Sequence, residues 1–196
     1  MCSLLKQIKF YNGGPTDNDI LNILKKITEN PLTFIQFYSN SGKLSTFLES
    51  LVTCANAKVL YVCENEDNLF ISYNTSKRLL PKLNISYMID DDNKIKDNTQ
   101  ILFITSKCAS KIFLNKCHLT NDIFGSVVII DNVENGNINS EILMRIWDYL
   151  YNKKSCVLPY LILTSCNNNI IKSPFQIDEN NMYIIKGKEG TLNLKY

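Results

Sequence analysis

The sequence predicts an α/β fold built on a doubly wound, mainly parallel sheet. Short apolar runs alternate along the chain with longer segments whose apolar residues recur three and four positions apart. Strands that alternate with helices of this kind are joined by crossover connections, which produce parallel sheets. The 196 residues, 45% of them apolar, are enough for one domain with a buried core. We expect this domain to span residues 17–196 and to follow an extension at 1–16.

The strands are predicted from continuous apolar runs, because a strand covered by helices on both faces is apolar on both faces. The clearest run, at 126–131, ends on the carboxylate of Asp131. The polar run Asp90-Asp-Asp-Asn93 indicates a solvated turn, and residues 182–185 and 191–194 indicate two late strands or a hairpin. The remaining strands are predicted at 32–38, 59–63, 85–89, 100–104 and 160–164.

The helices are predicted from apolar residues on one face and from capping residues at their ends. Thr16 or Asp17 is expected to cap the first helix, which ends near Pro31, and Pro81 marks the end of the third. A polar loop at 135–137 precedes the last helix. The helices are predicted around residues 20–27, 44–51, 69–80, 107–115 and 142–150.

Charge, cysteine content and the length of the apolar runs limit the classes of partner. The formal charge of +2 neither requires nor excludes nucleic acid. The seven cysteines are scattered without a C-x-x-C pair, so neither a zinc ribbon nor a redox pair is predicted. No apolar run approaches the roughly 20 residues that a membrane span requires, so we expect no membrane partner. Because no secretory apolar segment follows Met1, the expected compartment is the cytoplasm.

A predicted strand, a short polar loop and a predicted helix surround the tripeptide Ser41-Gly42-Lys43. This order is typical of a phosphate-binding loop, in which backbone N–H groups and the helix N-terminus hold phosphates and the Lys reaches their outer oxygens. The match to G-x-x-x-x-G-K-[ST] is incomplete, because there is no early Gly and Leu44 follows the Lys directly. The candidate nucleotide-binding residues are Asn40, Ser41, Gly42, Lys43, Leu44, Ser45 and Thr46.

Asp131 is the candidate metal ligand. Lys43 and Asp131 both follow predicted buried strands, and ligands bind beyond the carboxyl ends of the strands in sheets of this class. A lysine and an aspartate in these positions are the minimum for binding Mg-ATP, with Asp131 holding Mg²⁺ and the metal bridging the phosphates. Each feature also has an ordinary structural explanation, because Ser-Gly-Lys is common on surfaces and an Asp after an apolar strand often caps a helix.

Six motifs resemble, in order, those of the first motor lobe of superfamily-2 DEAH/DExH-box RNA helicases and the related viral RNA helicases. The resemblance runs from about residue 17 to the C-terminus. Asn40-Ser-Gly-Lys-Leu-Ser-Thr46 is similar to T-G-S-G-K-S-T, and Val127-Val-Ile-Ile-Asp-Asn-Val-Glu134 is similar to V-I-I-D-E-A-H. Leu161-Ile-Leu-Thr-Ser-Cys166 resembles L-I-L-M-S-A-T, and Tyr183-Ile-Ile-Lys-Gly-Lys188 resembles I-x-I-P-G-R. The other two motifs are residues 99–105 and 139–145.

The resemblance implies a RecA-like, ATP-binding lobe that acts on RNA together with a second helicase lobe or another protein subunit. It also implies that Thr105 contacts the nucleic-acid backbone, and Lys107 lies near the same predicted strand end. By the same resemblance, Thr164 and Ser165 belong to the motif that couples hydrolysis to strand movement.

The departures from the family fall on functional positions. Asn132 replaces the Glu that polarises the attacking water, and an amide cannot accept the proton. Positioned acid–base help of this kind is worth about 10²–10⁴ in rate. The arginine-rich segment of the family is replaced by Glu64-Asn-Glu-Asp67, whose carboxylates repel phosphate. We also expect the second helicase lobe to be absent, because the resemblance covers the first lobe alone.

Three functions are compatible with these observations. The preferred one is a degenerate helicase lobe that serves as a structural or interaction module, with weak or no nucleotide binding. The second is a working NTPase lobe completed by a second lobe on another chain, with Ser45 or Thr46 as a magnesium ligand. The third is a nucleic-acid-binding module without nucleotide chemistry that uses Thr105, Lys107 and Lys111, although these lysines also suit an ordinary solvated helix face.

Overall fold

The centre of the protein is a mainly parallel sheet with helices on both faces, which confirms the predicted fold class. The computed structural model describes residues 18–37, 43–90, 92–93, 95–115, 125–153, 158–166 and 182–185. The strands are β1 (Leu32–Phe37), β2 (Val59–Cys63), β3 (Ile85–Ile89), β4 (Asp92–Asn93), β5 (Ile101–Thr105), β6 (Val127–Ile130), β7 (Tyr160–Ser165) and β8 (Met182–Ile185).

Five α-helices and one 3₁₀ turn are present in the described part of the chain. They are α1 (Asn18–Glu29), α2 (Lys43–Thr53), α3 (Glu66–Leu79), α4 (Ser106–Asn115), the 3₁₀ turn Val133–Asn135 and α5 (Ile138–Lys153). The predicted capping residues of α1, Thr16 and Asp17, lie outside the described residues.

The strands follow the spatial order β4-β3-β5-β2-β6-β7-β1-β8. Every neighbouring pair in this order is parallel except β3 with β4, which is antiparallel. β8 pairs parallel with β1, so residues 182–185 form a strand of the main sheet. The second late strand predicted at 191–194 lies outside the described residues.

The prediction of a solvated turn at 90–93 was wrong in part. Asp90 has a left-handed backbone with φ of 41°, a conformation that Asp adopts more readily than most residues. The chain reverses there, and Asp92–Asn93 pairs with Ile89 and Met88 as the short strand β4. The sequence signal was misleading because a run of acidic residues is depleted in strands in general.

The sheet is buried on both faces, which explains why its strands are apolar without alternation. In β2, Val59, Tyr61 and Cys63 face the core formed with α1, α2 and α3. Leu60 and Val62 face the opposite core, formed with α4 and α5. All five residues of β2 are buried, as expected for a central strand.

Gly125 lies just before β6, where the chain passes the backbone of Lys58. Its φ is +58°, and a Cβ built on it would lie 2.3 Å from the carbonyl oxygen of Lys58. That oxygen accepts hydrogen bonds from the N–H groups of Ser126 and Val127 at 2.9 and 3.2 Å. A glycine is therefore required here both by the left-handed backbone and by the close approach.

We predict that Gly125→Ala lowers the free energy of unfolding by about 3 kcal/mol, because left-handed strain and a backbone clash add. Gly136→Ala is the matched control, since Gly136 has φ of +67° but no atom within 4 Å of a built Cβ. The control should cost only about 1 kcal/mol. Urea unfolding of both variants measures the difference, and equal losses would show that the contact with Lys58 does not matter.

Candidate functional site

The candidate site lies at the carboxyl edge of the sheet, where β6, β7 and β1 are neighbours. Ile130 pairs with Leu163, and Gln36 pairs with Ser165. The residues that follow β6 and end β7, among them Asp131 and Thr164, are therefore side by side.

A short hydrogen bond joins these two strand ends. The hydroxyl of Thr164 donates to Oδ1 of Asp131 at 2.6 Å. Thr164 is 2% exposed, so this bond is shielded from water. The other carboxylate oxygen, Oδ2, accepts from the amide of Asn132 at 3.3 Å. Both oxygens of Asp131 are thus already in hydrogen bonds within the protein.

Sequence reasoning assigned Thr164 to a coupling motif but missed this bond. The signal was present, because Thr164 occupies the position of Met in L-I-L-M-S-A-T, the family motif that Leu161-Ile-Leu-Thr-Ser-Cys166 resembles. A hydroxyl at an apolar position of a central strand needs a partner. Asp131 is that partner.

Burial is the main influence on the charge of Asp131. Desolvation raises the pKa of its carboxyl, the negative charge of Glu134 adds to the rise, and the bond from Thr164 opposes it. Tyr61 lies on the same side of the sheet, and burial together with the charge of Asp131 raises the pKa of Tyr61 well above its usual range. The Tyr61 hydroxyl is buried without a hydrogen bond of good geometry.

The loop after β6 is fixed to the end of β7. Asn132 has a left-handed backbone with φ of 51° and ψ of 46°. The thiol of Cys166 donates to Oδ1 of Asn132 at 3.5 Å, and the N–H of Cys166 donates to Oε1 of Glu134 at 3.0 Å. The second oxygen of Glu134 is buried without a partner. Asn132 and Glu134 therefore serve as structural contacts between the two loops.

The phosphate-loop candidates are only partly described. Asn40, Ser41 and Gly42 lie outside the described residues, and Lys43 is the first residue of α2. Further along the helix, Leu44 packs against the core on the α2 side of the sheet, Ser45 is partly buried and Thr46 is exposed.

Thr105, the predicted nucleic-acid contact, has a structural role at the start of α4. Thr105 is 6% exposed, and its hydroxyl accepts from the N–H of Cys108 at 3.3 Å, which caps the start of α4. Lys107 and Lys111 are exposed and pair with Asp90 at 3.5 and 3.2 Å. The bond from Lys111 and the charge of Lys107 lower the pKa of Asp90.

The acidic run at 64–67 forms the start of α3. The side chain of Asn65 accepts from the N–H of Asn68 at 2.9 Å, and Glu66 and Asp67 lie in the first turn. Carboxylates at a helix N-terminus are stabilised by the helix dipole. The run therefore has a structural role that the sequence analysis did not identify. Asn65 is a recognisable helix-capping residue, because Asn is favoured at the position before the first turn.

Glu64 also connects the loop after β6 with the start of α4. Its carboxylate accepts from the side chain of Asn135 at 2.7 Å, and its carbonyl accepts from the Ser106 hydroxyl at 3.1 Å. The same hydroxyl contacts Oδ1 of Asn137 at 3.2 Å, and that oxygen caps α5. A polar network thus connects the ends of β2, β5 and β6.

The candidate Mg²⁺ ligand Asp131 does not belong to a cluster of metal-ligating side chains. No group of three or more His, Cys, Asp or Glu side chains lies close enough to hold an ion in the part of the chain that the structure describes. Both oxygens of Asp131 accept hydrogen bonds within the protein. A Mg²⁺ ion bound there would share these oxygens with Thr164 and Asn132.

We predict that Thr164→Val lowers the free energy of unfolding by about 2 kcal/mol at neutral pH, because the buried carboxylate loses its donor. Burial raises the pKa of Asp131 in the folded state above its value in the unfolded chain. Protonated Asp131 therefore contributes stability that is complete below the unfolded pKa. This contribution is lost as pH rises through the folded pKa. The Thr164 bond favours the ionised form, so the loss in the variant should shrink at acidic pH.

Thr53→Val is the matched control, because the Thr53 hydroxyl donates to the exposed carbonyl of Glu49 on α2 and otherwise lies 3.6 Å from the sulfur of Cys54, without a carboxylate partner. The control should change stability by less than about 0.5 kcal/mol at either pH. Urea unfolding at neutral and acidic pH measures both variants. A Thr164→Val loss that does not depend on pH would argue against an ionised Asp131 as the acceptor.

Comparison with known proteins gives structural neighbours only. No protein-family model matches the sequence, and no curated protein matches it. A crystal structure of the Escherichia coli DEAH/RHA helicase HrpB superposes with a TM-score of 0.67 at 14% identity, covering 81% of this chain and 20% of that one. A second, of the E. coli DExH-box NTPase HrpB, gives 0.62 at 14% identity, covering 78% and 19%.

The chain thus spans about a fifth of the length of these neighbours. No helix in the described residues is long and apolar enough to cross a membrane. At this level of identity the superposition establishes architecture, and the chain has the α/β fold of a RecA-like helicase lobe.

Proposed function

We propose that this chain is a degenerate helicase-type ATP-binding lobe that serves as a structural or interaction module, with weak or no nucleotide binding. The observation that carries the proposal is the presence of an amide at position 132 and the contacts that this amide makes. This residue follows the strand-end aspartate, where the family that the sequence resembles has its catalytic Glu. Its amide contacts Asp131 and the Cys166 thiol.

An amide at this position removes the general base. Asn cannot accept a proton from water, and its carbonyl oxygen already accepts from Cys166. A positioned base contributes about 10²–10⁴ in rate, equivalent to about 3–5 kcal/mol of barrier. Glu134 does not replace it, because one of its oxygens binds the backbone of Cys166 and the other is buried.

The surroundings of Asp131 support the same proposal. A carboxylate that is desolvated and hydrogen-bonded by Thr164 must give up that bond, or share it, to hold Mg²⁺. The polar groups around it tie strands and loops together. These contacts stabilise this edge of the sheet.

Recognition of RNA is a weaker part of the proposal. The hydroxyl of Thr105 caps α4, and the charges of Lys107 and Lys111 are partly neutralised by Asp90. Each of these features reduces the attraction for phosphate. We therefore propose RNA as a secondary partner of this lobe. A cytoplasmic location and a virus-encoded origin are proposed on the sequence resemblance alone.

A working NTPase lobe completed by a lobe on another chain is the second candidate. Its support is the order of β1 and α2 along the chain, with Lys43 as the first residue of α2, and the position of β1 next to β7 in the sheet. The structural neighbours are about five times longer than the matched part, so their activity involves further segments. An arginine finger supplied by a partner is worth about 10³–10⁵ in turnover.

Calorimetric titration with Mg-ATP tests the proposal. We expect a dissociation constant weaker than about 1 mM, which is about −4 kcal/mol of binding free energy, and no hydrolysis. Lys43→Ala is the control and should change nothing. Tight Mg²⁺-dependent binding that Lys43→Ala abolishes, together with turnover, would favour the second candidate.

We further predict that Asn132→Glu does not restore hydrolysis and lowers the free energy of unfolding by about 1 kcal/mol. Asn tolerates the left-handed backbone found at position 132, whereas Glu does so less readily. Asn132→Gly is the matched control, because Gly adopts this backbone without strain. Phosphate release and thermal unfolding measure both effects. A gain in hydrolysis of about 100-fold or more, the lower end of what a positioned base contributes, would contradict the proposal.

A further inference from the structure

The loop after β6 contains an asparagine that is followed directly by a glycine. Asn135 ends the 3₁₀ turn, Gly136 follows it, and both residues are exposed. Asparagine is one of the chemically labile residues of proteins, because the backbone nitrogen of the next residue can attack its side-chain carbonyl carbon. Glycine permits this attack best, since it has no Cβ to obstruct the approach. The sequence has one other Asn-Gly pair, at 12–13, which lies outside the described residues.

The space around Gly136 leaves room for such an attack. Its backbone is left-handed, with φ of 67° and ψ of 32°. Apart from its chain neighbours, no atom would lie within 4 Å of a Cβ built on this residue. The surrounding structure therefore does not prevent the Gly136 nitrogen and the Asn135 side chain from moving towards each other.

Two backbone hydrogen bonds close the end of the turn. The N–H of Asn135 donates to the carbonyl of Asn132 at 3.1 Å, and the N–H of Gly136 donates to the carbonyl of Val133 at 3.3 Å. Hydrogen bonds in a 3₁₀ turn have poorer geometry than those of an α-helix, and exposed turns open at a small cost in free energy. Val133 is buried, so it fixes the start of the turn while the end at Asn135 opens. Opening releases the Gly136 nitrogen, which is the attacking atom.

A second asparagine, four residues further along the chain, lacks these features. Asn139 lies in the first turn of α5 and is followed by Ser140, which is 4% exposed. The N–H of Ser140 donates to Oδ1 of Asn137 at 3.3 Å. Attack by the Ser140 nitrogen on Asn139 would require the start of α5 to unwind. The two asparagines therefore compare an exposed turn with a capped helix in the same protein.

We propose that Asn135 is a site of self-modification, at which the Gly136 nitrogen brings about conversion of the side-chain amide to a carboxylate. The nitrogen forms a bond to Cγ of Asn135, and the amide group leaves as ammonia with the proton of the Gly136 N–H, so that a cyclic succinimide results. Water then opens the ring at Cγ, which gives Asp, or at the backbone carbonyl carbon, which gives isoaspartate. One water is consumed and one ammonia is released, without oxidation or reduction.

The modification acts on the contact between Asn135 and Glu64. Nδ2 of Asn135 donates to the carboxylate of Glu64 at 2.7 Å, and the carbonyl of Glu64 accepts from the Ser106 hydroxyl. After the conversion, two carboxylates face each other where a donor faced an acceptor, and like charges repel. A link between the loop after β6 and the end of β2 thus becomes a repulsive contact. The proposal concerns the covalent stability of this loop and does not depend on nucleotide binding.

Peptide mapping by mass spectrometry tests the proposal on the full chain, aged in slightly alkaline buffer with and without urea. The rates in urea report the local sequence alone, so the ratio of the folded rate to the urea rate reports the effect of the structure. We expect this ratio to be at least about tenfold larger for Asn135 than for Asn139, which corresponds to about 1.4 kcal/mol of barrier. Equal ratios at the two positions, or an Asn135 that stays intact in the folded chain, would overturn the proposal.

Gly136→Asn tests the identity of the attacking atom. Asn adopts the left-handed backbone more readily than most other residues, so the turn is retained while a Cβ obstructs the attack. Conversion of Asn135 should slow by about tenfold or more in this variant, and isoaspartate at position 135 should decrease in parallel. A rate that Gly136→Asn leaves unchanged would show that the Gly136 nitrogen is not the nucleophile.

Asn135→Asp reproduces one product of the reaction and tests its consequence. We expect the melting temperature to fall by about 2–4 °C, because the donor to Glu64 is replaced by a like charge. Asn139→Asp is the matched control, since a carboxylate added to the first turn of α5 is stabilised by the helix dipole and should not lower the melting temperature. Equal melting temperatures for Asn135→Asp and the original chain would contradict the assigned effect on the Glu64 contact.

Discussion

The hydrogen bond from Thr164 to Asp131 is the interaction on which the candidate site depends. It joins the ends of two central strands, and the Asn132 and Glu134 contacts with Cys166 extend the same connection. Because Thr164 is buried and Asp131 is partly buried, the bond both satisfies a desolvated carboxylate and restricts what that carboxylate can do. Stability at this edge of the sheet and metal chemistry at Asp131 make competing demands on the same two oxygen atoms.

Apolar runs were sufficient to predict the parallel sheet, because strands covered on both faces leave an unambiguous signal. They also placed Asp131 at the carboxyl edge of the sheet, where the structure has it, whereas its position beside Thr164 depends on the order of the strands. The strand β4 was missed, because Asp92 and Asn93 are residue types depleted in strands and its formation depends on the left-handed backbone of Asp90. The capping role of Asn65 was hidden by the charges that follow it.

The residues of the site could be predicted from the sequence, but their backbone conformations and hydrogen bonds could not. The replacement of Glu by Asn132 was evident from the motif, but its backbone conformation and its contact with Cys166 depend on tertiary structure. Thr105 illustrates the same limit, because a hydroxyl at a strand end suits either a ligand or a helix cap. In the structure the N–H of Cys108 in α4 donates to the Thr105 hydroxyl, so the residue is a helix cap. The sequence pattern does not show this contact.

The most direct test of this account is an NMR titration of the Asp131 side-chain carboxyl, with and without Mg²⁺. We expect its pKa to lie above the usual value for Asp, because burial outweighs the bond from Thr164, and to be unaffected by millimolar Mg²⁺. A lowered pKa, or a resonance that shifts on addition of Mg²⁺, would show that the carboxylate is well solvated and open to a metal, contrary to the structural role assigned to it.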